Sequence, residues 1–343
     1  MSNHLLSICC LGYNHADFLK ENLDSIERIA YPNIEVVVVD DGSKDNSVEV
    51  LNGLADKYPF PVTVIAQENT GNIGKNFNTA LEKCKGGLVA FISLDDVFNP
   101  EVVRQEIELM NSQEDLAFVA TKKAASINNK GKVITGYLPE SPIENIEHPT
   151  VSELLEFEYS HFGAFFIQGC IFRKSLIDAV GGFDEDIIGD DIVLRTKLFR
   201  YLLDHPEWKH AFLPGNNVFY RLHDNNIHKN SIRQIRNVSE YLERYWPDRE
   251  VPDALVSWAV YAIRNSTFDE SIRIFSMNKV AASLLHNKEV QKILQASAYA
   301  SYKADHKKPI SKERIKDIRI ITLFGNIVFS YKKKLKQRNP AHS

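Results

Sequence analysis

Three pairs of adjacent aspartates stand out in this 343-residue chain: Asp40-Asp41, Asp95-Asp96 and Asp190-Asp191. Two of them end apolar runs and the third opens a helical stretch. The central pair says most. Leu88 to Ser93 is an apolar run too short for a helix and suited to a buried strand, and it stops at Asp95 and Asp96. Asn99-Pro100-Glu101 follows, with Asn placed as a helix N-cap, Pro at the first helical position and an acid in the first turn. The two aspartates therefore sit just past the carboxyl end of a strand, where open α/β sheets bind ligands. Two carboxylates there repel each other unless something positive lies between them. A hard divalent cation carrying phosphate oxygens is the usual solution. A solvated loop with one capping acid would explain such a pair in isolation. For Asp190-Asp191 the plain account is the helix dipole, which favours an acid by about 0.3–1 kcal/mol. That account needs one acid, not two.

The elements that must hold these residues follow from the pattern. Leu5 to Leu11 is a short apolar strand broken by Gly12-Tyr13-Asn14, after which Leu19, Leu23 and Ile26 recur at helical spacing. Ile34 to Val39 is a second strand, ending in Asp40-Asp41-Gly42-Ser43. Asp45 or Asn46 can cap the next helix, with Val48, Leu51, Ala55 and Tyr58 on its buried face. Pro61 to Ala66 reads as a third strand, and Ile73, Phe77, Leu81 and Cys84 mark the helix before the central strand. This alternation predicts an α/β fold: a Rossmann-like, mostly parallel sheet flanked by helices. Later come a strand at Leu116–Thr121, a hairpin tip near 127–134, a mobile loop at 141–150 and a return to the sheet at Phe165–Arg173. A short helix from Lys174 ends on the glycine C-cap Gly181-Gly182. A helix from Asp190-Asp191 to about Leu203 and a last strand at Asn217–Leu222 complete this part. Beyond residue 230 every segment reads helical: 231–245, 253–264, 271–285, 289–302 and 311–331. The expected division is an α/β domain at 1–228 and an all-helical extension at 229–343.

Composition narrows the class. Hydrophobic residues make up 44% and charged residues 25%, as in water-soluble globular proteins. No run approaches the roughly 18 apolar residues of a membrane span, and the amino terminus lacks a signal-peptide pattern. Cys9, Cys10, Cys84 and Cys170 show no metal-ligand spacing and fit a reducing cytoplasm. The net charge of −4 hides an asymmetry, because between His306 and Arg338 Lys and Arg outnumber Asp and Glu by eleven to two. Within that tail Ile318, Ile321, Leu323, Phe324, Ile327 and Val328 are apolar. Such a segment suits a helix lying in an anionic membrane interface at the cytoplasmic leaflet. It suits equally a helix packed on its own domain or on a second protomer. No nucleic-acid partner is expected.

Seven pieces in order carry a resemblance. Ser7-Ile8-Cys9-Cys10-Leu11-Gly12-Tyr13-Asn14 comes first. Val39-Asp40-Asp41-Gly42-Ser43 follows, then Asn69-x-Gly71 with Lys75-Asn76, and Ser93-x-Asp95-Asp96. Gly181-Gly182-Phe183-Asp184-Glu185, Asp190-Asp191 and Tyr220-Arg221-x-His223 complete the series. Together they resemble a family 2 glycosyltransferase of the GT-A fold, over residues 5 to about 228. The resemblance implies that Leu11, Tyr13, Asn14, Asp41, Lys75 and Asp95 bind a nucleotide-sugar. Tyr13 can lie against the base, Asp41 can accept from a base N–H or ribose hydroxyl, and Lys75 can reach base or phosphate. Asp95 is assigned to the ribose or a bridging water, and Asp96 with His223 to Mn²⁺ or Mg²⁺. Asp191, or else Asp190, is the general base that takes the acceptor hydroxyl's proton. Gly181-Gly182-Phe183 shapes the acceptor side. The family has Pro at Leu11 and an acid at Ser93, so this chain departs from its pattern at both.

The expected activity is that of a metal-dependent, inverting hexosyl- or hexosaminyltransferase. Its donor is a nucleotide-diphosphate sugar, a UDP-sugar by first choice, and its acceptor a hydroxyl of a glycan or lipid-linked precursor in surface-polysaccharide synthesis. The rival is an inactive nucleotide-sugar-binding or scaffold protein of the same fold. Retention of Asp41, Asp95, Asp96 and Asp191 together weighs against it. A nicotinamide-linked enzyme would need a Gly-x-Gly-x-x-Gly run after the first strand, and Gly12-Tyr13-Asn14-His15 is not one.

Overall fold

The computed structural model describes residues 4–135, 141–187, 189, 191–223 and 231–305. Its first half follows the predicted alternation. Strands β1 (Leu6–Gly12), β2 (Ile34–Asp40), β3 (Val62–Ala66) and β4 (Leu88–Ser93) pair in parallel, in the order β3-β2-β1-β4. Between them run helices α1 (Leu19–Arg28), α2 (Ser47–Ala55) and α3 (Ile73–Leu81). Consecutive side chains of a strand point to opposite faces, and both faces here are covered. Cys9, Val37, Val89 and Phe91 pack into one core with Phe77 and Leu81 of α3. Ile8, Cys10, Val36, Val38, Ala90 and Ile92 pack into the other, with Leu19 and Leu23 of α1 and Leu51 of α2. Leu88 to Ile92 are each fully buried, which explains their unbroken apolar run.

After β4 the sheet turns mixed. A two-residue strand, β5 (Val97–Phe98), precedes α4 (Pro100–Ser112). Pro100 does open that helix, but Asn99 makes no side-chain cap. Its amide donates instead to the Asn216 carbonyl at 2.8 Å. Strand β6 (Leu116–Asn128) runs well past the expected end at Thr121 and turns back through β7 (Val133–Ile134), the predicted hairpin. Helix α5 (Val151–His161) starts on a capping box between Thr150 and Glu153. Only β8 (Ile171–Arg173) of the stretch from Phe165 enters the sheet, antiparallel to both β4 and β6. Helices α6 (Lys174–Ala179) and α7 (Asp191–Asp204) follow.

Strand β9 (Lys209–Leu222) is more than twice the predicted length and pairs parallel with β6 and antiparallel with β5. Pro214-Gly215 lies inside it. Opposite Lys122 the pairing shifts from Thr121–Leu213 to Lys123–Asn216, so these two residues form a bulge that the ladder absorbs. Gly215 supplies the φ of +92° needed there. The complete order is β3-β2-β1-β4-β8-β6-β9-β5, with β7 on β6, and six of these nine strands run in the β1 direction.

The chain divides into two compact units, up to Leu255 and from Val256. Helix α8 (Ser231–Tyr245) belongs to the first, and α9 (Asp253–Arg264) spans the division. In the second unit α10 (Phe268–Phe275) and α11 (Lys279–Ser283) replace the single helix expected at 271–285. Asn278 interrupts it, because its side chain caps α11 by accepting the Ala281 N–H. Helix α12 (Lys288–Asp305) closes the described part. The basic tail at 311–338 lies outside the described residues. No helix among the described residues is long and apolar enough to cross a membrane.

Candidate functional site

The loops leaving β1, β2 and β4 meet at one edge of the sheet, since the register sets Gly12 beside Asp40 and Leu11 beside Ser93. Strand β9 runs the same way, so His223, one residue past its end, arrives at that edge too. There His15, Asp95 and His223 each offer a ligand atom, all within 4.8 Å of one another. His223 Nε2 lies 2.8 Å from Asp95 Oδ2, and His15 Nε2 lies 3.8 Å from the same oxygen. The Ser93 hydroxyl donates to Asp95 Oδ1. Burial alone would raise the Asp95 pKa, but the His223 hydrogen bond, the nearby His15 and the Ser93 hydroxyl outweigh it and hold the carboxyl below its ordinary range. Burial lowers the His15 pKa against the pull of Asp95, which favours the neutral ring with a lone pair to give.

Asp96 does not join this cluster. It is fully buried, and its Oδ1 accepts the Arg221 backbone N–H at 2.7 Å. Burial first, and the Asp95 charge second, push its pKa well up. The expectation that Asp96 partners His223 therefore meets a different geometry, in which Asp95 is the acid beside the imidazole. Arg221 explains why. Its Nε donates to the Asp95 carbonyl at 2.6 Å, Nη1 to the Asn128 carbonyl at 2.9 Å and Nη2 to Glu21 Oε2 at 2.6 Å. The guanidinium also lies 4.8 Å from the centre of the Phe18 ring. One side chain thus ties the Asp95-Asp96 turn to α1 and to the hairpin, with Asp96 on the Arg221 N–H and Asp95 against the two imidazoles.

The other expected residues occupy the surrounding loops. Tyr13 is exposed. Asn14 stands at φ +59° and accepts the Lys44 N–H on its side chain at 2.7 Å, while its own N–H donates to Ser43 Oγ. These bonds stitch the loop after β1 to the loop after β2. Leu11 is half-buried against the core, and its carbonyl accepts the Leu94 N–H. Asp40 braces its own turn by accepting from Ser43. Asp41 is buried, and it accepts the N–H of Thr70 at 2.7 Å and of Gly71 at 3.1 Å, so its carboxylate shapes the loop after β3. Lys75 is exposed on the first turn of α3.

Asp191 opens α7. Its Oδ1 accepts the Ile192 N–H and its Oδ2 the Arg195 Nη1, each at 2.8 Å. Asp190 lies outside the described residues. The loop before α7 is strapped to α3: Asn78 donates to the Phe183 carbonyl and accepts the Phe183 N–H, both at 2.9 Å, and Asn72 donates to the Glu185 carbonyl. Gly182 needs its φ of +60°, and a Cβ there would lie 2.6 Å from Asn78 Oδ1. Sequence reasoning missed His15. A histidine in the loop directly after β1, following Tyr13-Asn14, was the available signal.

One carboxylate with two imidazoles suits Mn²⁺ better than Mg²⁺, which prefers oxygen ligands. A ring observation favours the fit. His15 Nδ1 is buried without a hydrogen-bond partner, so no other bond accounts for the ring's position beside Asp95.

Residues 7–179 match the model of glycosyl transferase family 2. An uncharacterized glycosyltransferase of Nostoc sp. is 33% identical over 109 residues, covering 32% of this chain and 34% of the relative. The match covers 22% and 59% of the next two relatives, so the chain spans under two thirds of their length. Among solved structures, TarS of Staphylococcus aureus in complex with UDP-GlcNAc superposes with a TM-score of 0.55 at 15% identity, covering 88% of this chain and 92% of the other. The mannosyltransferase PcManGT of Pyrobaculum calidifontis, in complex with GDP-Man and Mn²⁺, gives 0.53 at 17% identity, covering 90% and 89%. The fold and the family match over half the chain lead to one statement: this chain belongs to glycosyl transferase family 2 and has the GT-A fold.

Proposed function

We propose that this chain moves a sugar from a nucleotide-diphosphate sugar to an acceptor hydroxyl with inversion, at the sheet edge formed by the ends of β1, β2, β4 and β9. The observation that carries the reading is the contact of Asp95 with His223 and His15 at that edge. These three residues would hold the cation, Mn²⁺ rather than Mg²⁺, and Asp96 braces the turn behind them. When bound, the cation neutralises the diphosphate and stabilises the departing nucleoside diphosphate. Tyr13, exposed at the same edge, offers its ring to the base, and Lys75 offers a charge to base or phosphate. Asp41 keeps the loop after β3 in place, and its remaining lone pairs serve the base or ribose. Asp191 takes the acceptor proton, since a hydroxyl attacks poorly without a base within reach.

The donor is a UDP-sugar by preference, supported by the UDP-GlcNAc bound to TarS; GDP-Man in PcManGT keeps a GDP-sugar in view. The acceptor is a glycan or a lipid-linked precursor of surface polysaccharide. The composition of 311–338 supports a place for the tail at the anionic cytoplasmic leaflet, with packing on the first 228 residues or on a second protomer as the other outcome. The division at 228/229 stands as part of this proposal. A thermal-shift screen of UDP, GDP, dTDP and CMP, each with and without Mn²⁺, tests the reading, because a ligand that binds only the folded state raises its apparent stability. One nucleoside diphosphate should raise the melting temperature only with Mn²⁺. If none does, the donor site assigned here is wrong. If one does but no sugar is ever transferred or hydrolysed, the inactive binding protein is the better reading.

A further inference from the structure

Away from the histidine cluster, α5 and α7 bury a cation between two acids. Glu158 on α5 and Arg195 on α7 are both fully enclosed. Arg195 Nε donates to Glu158 Oε1 at 2.7 Å and Nη2 to Oε2 at 3.2 Å, which leaves Nη1 for Asp191 Oδ2 at 2.8 Å. Asp191 is the only member with an open side, its side chain being 40% exposed. The end of α5 is shaped around the pair. Phe162 takes a left-handed conformation at φ +61°, and the Ala164 N–H then reaches Glu158 Oε1 at 3.0 Å. Gly163 lies so close that a Cβ would sit 3.1 Å from Arg195 Nη2.

Stability alone is a weak reason for this arrangement. Two apolar side chains of similar volume would join the helices at least as well, because neither would have to be stripped of water. An exposed Asp–Arg pair four residues apart is a small helix bonus. This arginine differs, being buried and locked by a fork from another helix. We infer that Glu158 and Arg195 are positioning residues that fix the carboxylate of Asp191 for its work at the acceptor hydroxyl. The inference rests on Asp191 as the base. With Oδ2 held by the guanidinium and Oδ1 by the Ile192 N–H, both carboxylate oxygens are fixed in place. A base that wanders among rotamers loses rate without losing substrate affinity.

The test is the double variant Glu158→Gln/Arg195→Met, which leaves no buried charge unpaired, alone and combined with Asp191→Asn. Its readouts are nucleotide affinity and release of nucleoside diphosphate from UDP-N-acetylglucosamine, UDP-glucose or GDP-mannose with Mn²⁺. Nucleotide affinity should be unchanged while kcat falls about 10–100-fold, the scale of a mispositioned base. In the Asp191→Asn background the same double change should do nothing further, because its effect passes through that carboxylate. A purely structural role predicts an equal effect in both backgrounds, and that result, or a folded double variant with wild-type kcat, overturns the inference. If the double variant does not fold, Arg195→Lys takes its place, keeping the charge without the fork; an unchanged kcat there is equally fatal. If no donor is hydrolysed, a crystal structure of the variant decides, since an Asp191 carboxylate that stays put refutes the role. Should Asp191→Asn alone leave turnover intact, the base reading falls and this inference with it. Should it lose turnover while the double variant does not, only this inference fails.

Discussion

The Arg221 backbone N–H donates to Asp96 Oδ1 at 2.7 Å, across 125 residues of sequence. The bond holds one oxygen of Asp96, while Asp96 Oδ2 is buried without a hydrogen-bond partner. Both acids lie in the turn after β4 and both are buried, Asp96 completely and Asp95 to all but 6%. There Asp95 meets His223.

The first prediction follows from that division. Asp95→Asn should weaken Mn²⁺ binding, measured by calorimetry with UDP present, by at least about 10–100-fold. Asp96→Asn keeps an acceptor for the Arg221 N–H and should retain most of that affinity. Asp96→Ala leaves the N–H unpaired and should cost about 1–3 kcal/mol in urea unfolding. Equal losses of Mn²⁺ affinity in the two Asn variants would return the cation to Asp96.

Turnover should depend on Asp191 separately from donor binding. Asp191→Asn is expected to bind UDP and Mn²⁺ as the wild type does, while its rate drops by about 100-fold or more. Steady-state kinetics beside a nucleotide titration separates the two, and near-normal kcat would remove Asp191 from the chemistry.

Asp184 gives a pH dependence. Burial would raise its pKa, but hydrogen bonds from Tyr245, Arg244 and Lys197 prevail and hold it below the ordinary 3.8. A folded-state value lowered in this way adds stability that is present above the unfolded value and is lost as pH falls through the folded one. Melting temperature should therefore fall below about pH 4 in the wild type, and less steeply in Asp184→Asn, which should start lower at neutral pH. Parallel melting curves for the two proteins would show that the loop carries no such linkage.

For the tail, full-length protein should float with anionic liposomes and a form lacking residues 311–343 should not. Each Lys or Arg near the surface contributes about 1 kcal/mol at low salt. Flotation of both forms, or of neither, would rule out the membrane reading. Unfolding of the shortened form would make the tail part of the core.

Sequence patterns made the first four strands and their helices legible, because each element there is a single clean period bounded by Gly, Asn or Asp. They failed where one element carries the signs of two. Pro214-Gly215 reads as a turn, yet inside β9 it is a bulge, and only the partner strand makes it tolerable. Asn278 divides a helix that an apolar stripe alone would have run through. At the site, motif order located the aspartates and His223, but nothing local distinguishes Asp95 from Asp96. That distinction comes from Arg221, more than a hundred residues away. His15 escaped for a related reason, since its meaning lies in what faces it.

Strand β9 also limits how the chain can be divided. The stretch that defines the family ends at Ala179, before β9 begins. A fragment cut there would keep Asp95 but lack its imidazole partner from beyond Leu222. It would also present β6, 13 residues long, with one row of backbone N–H and C=O groups open to any passing strand. Such a piece should self-associate rather than act as a smaller enzyme. During synthesis the same edge stays open until β9, which ends at Leu222, has emerged to pair with β6.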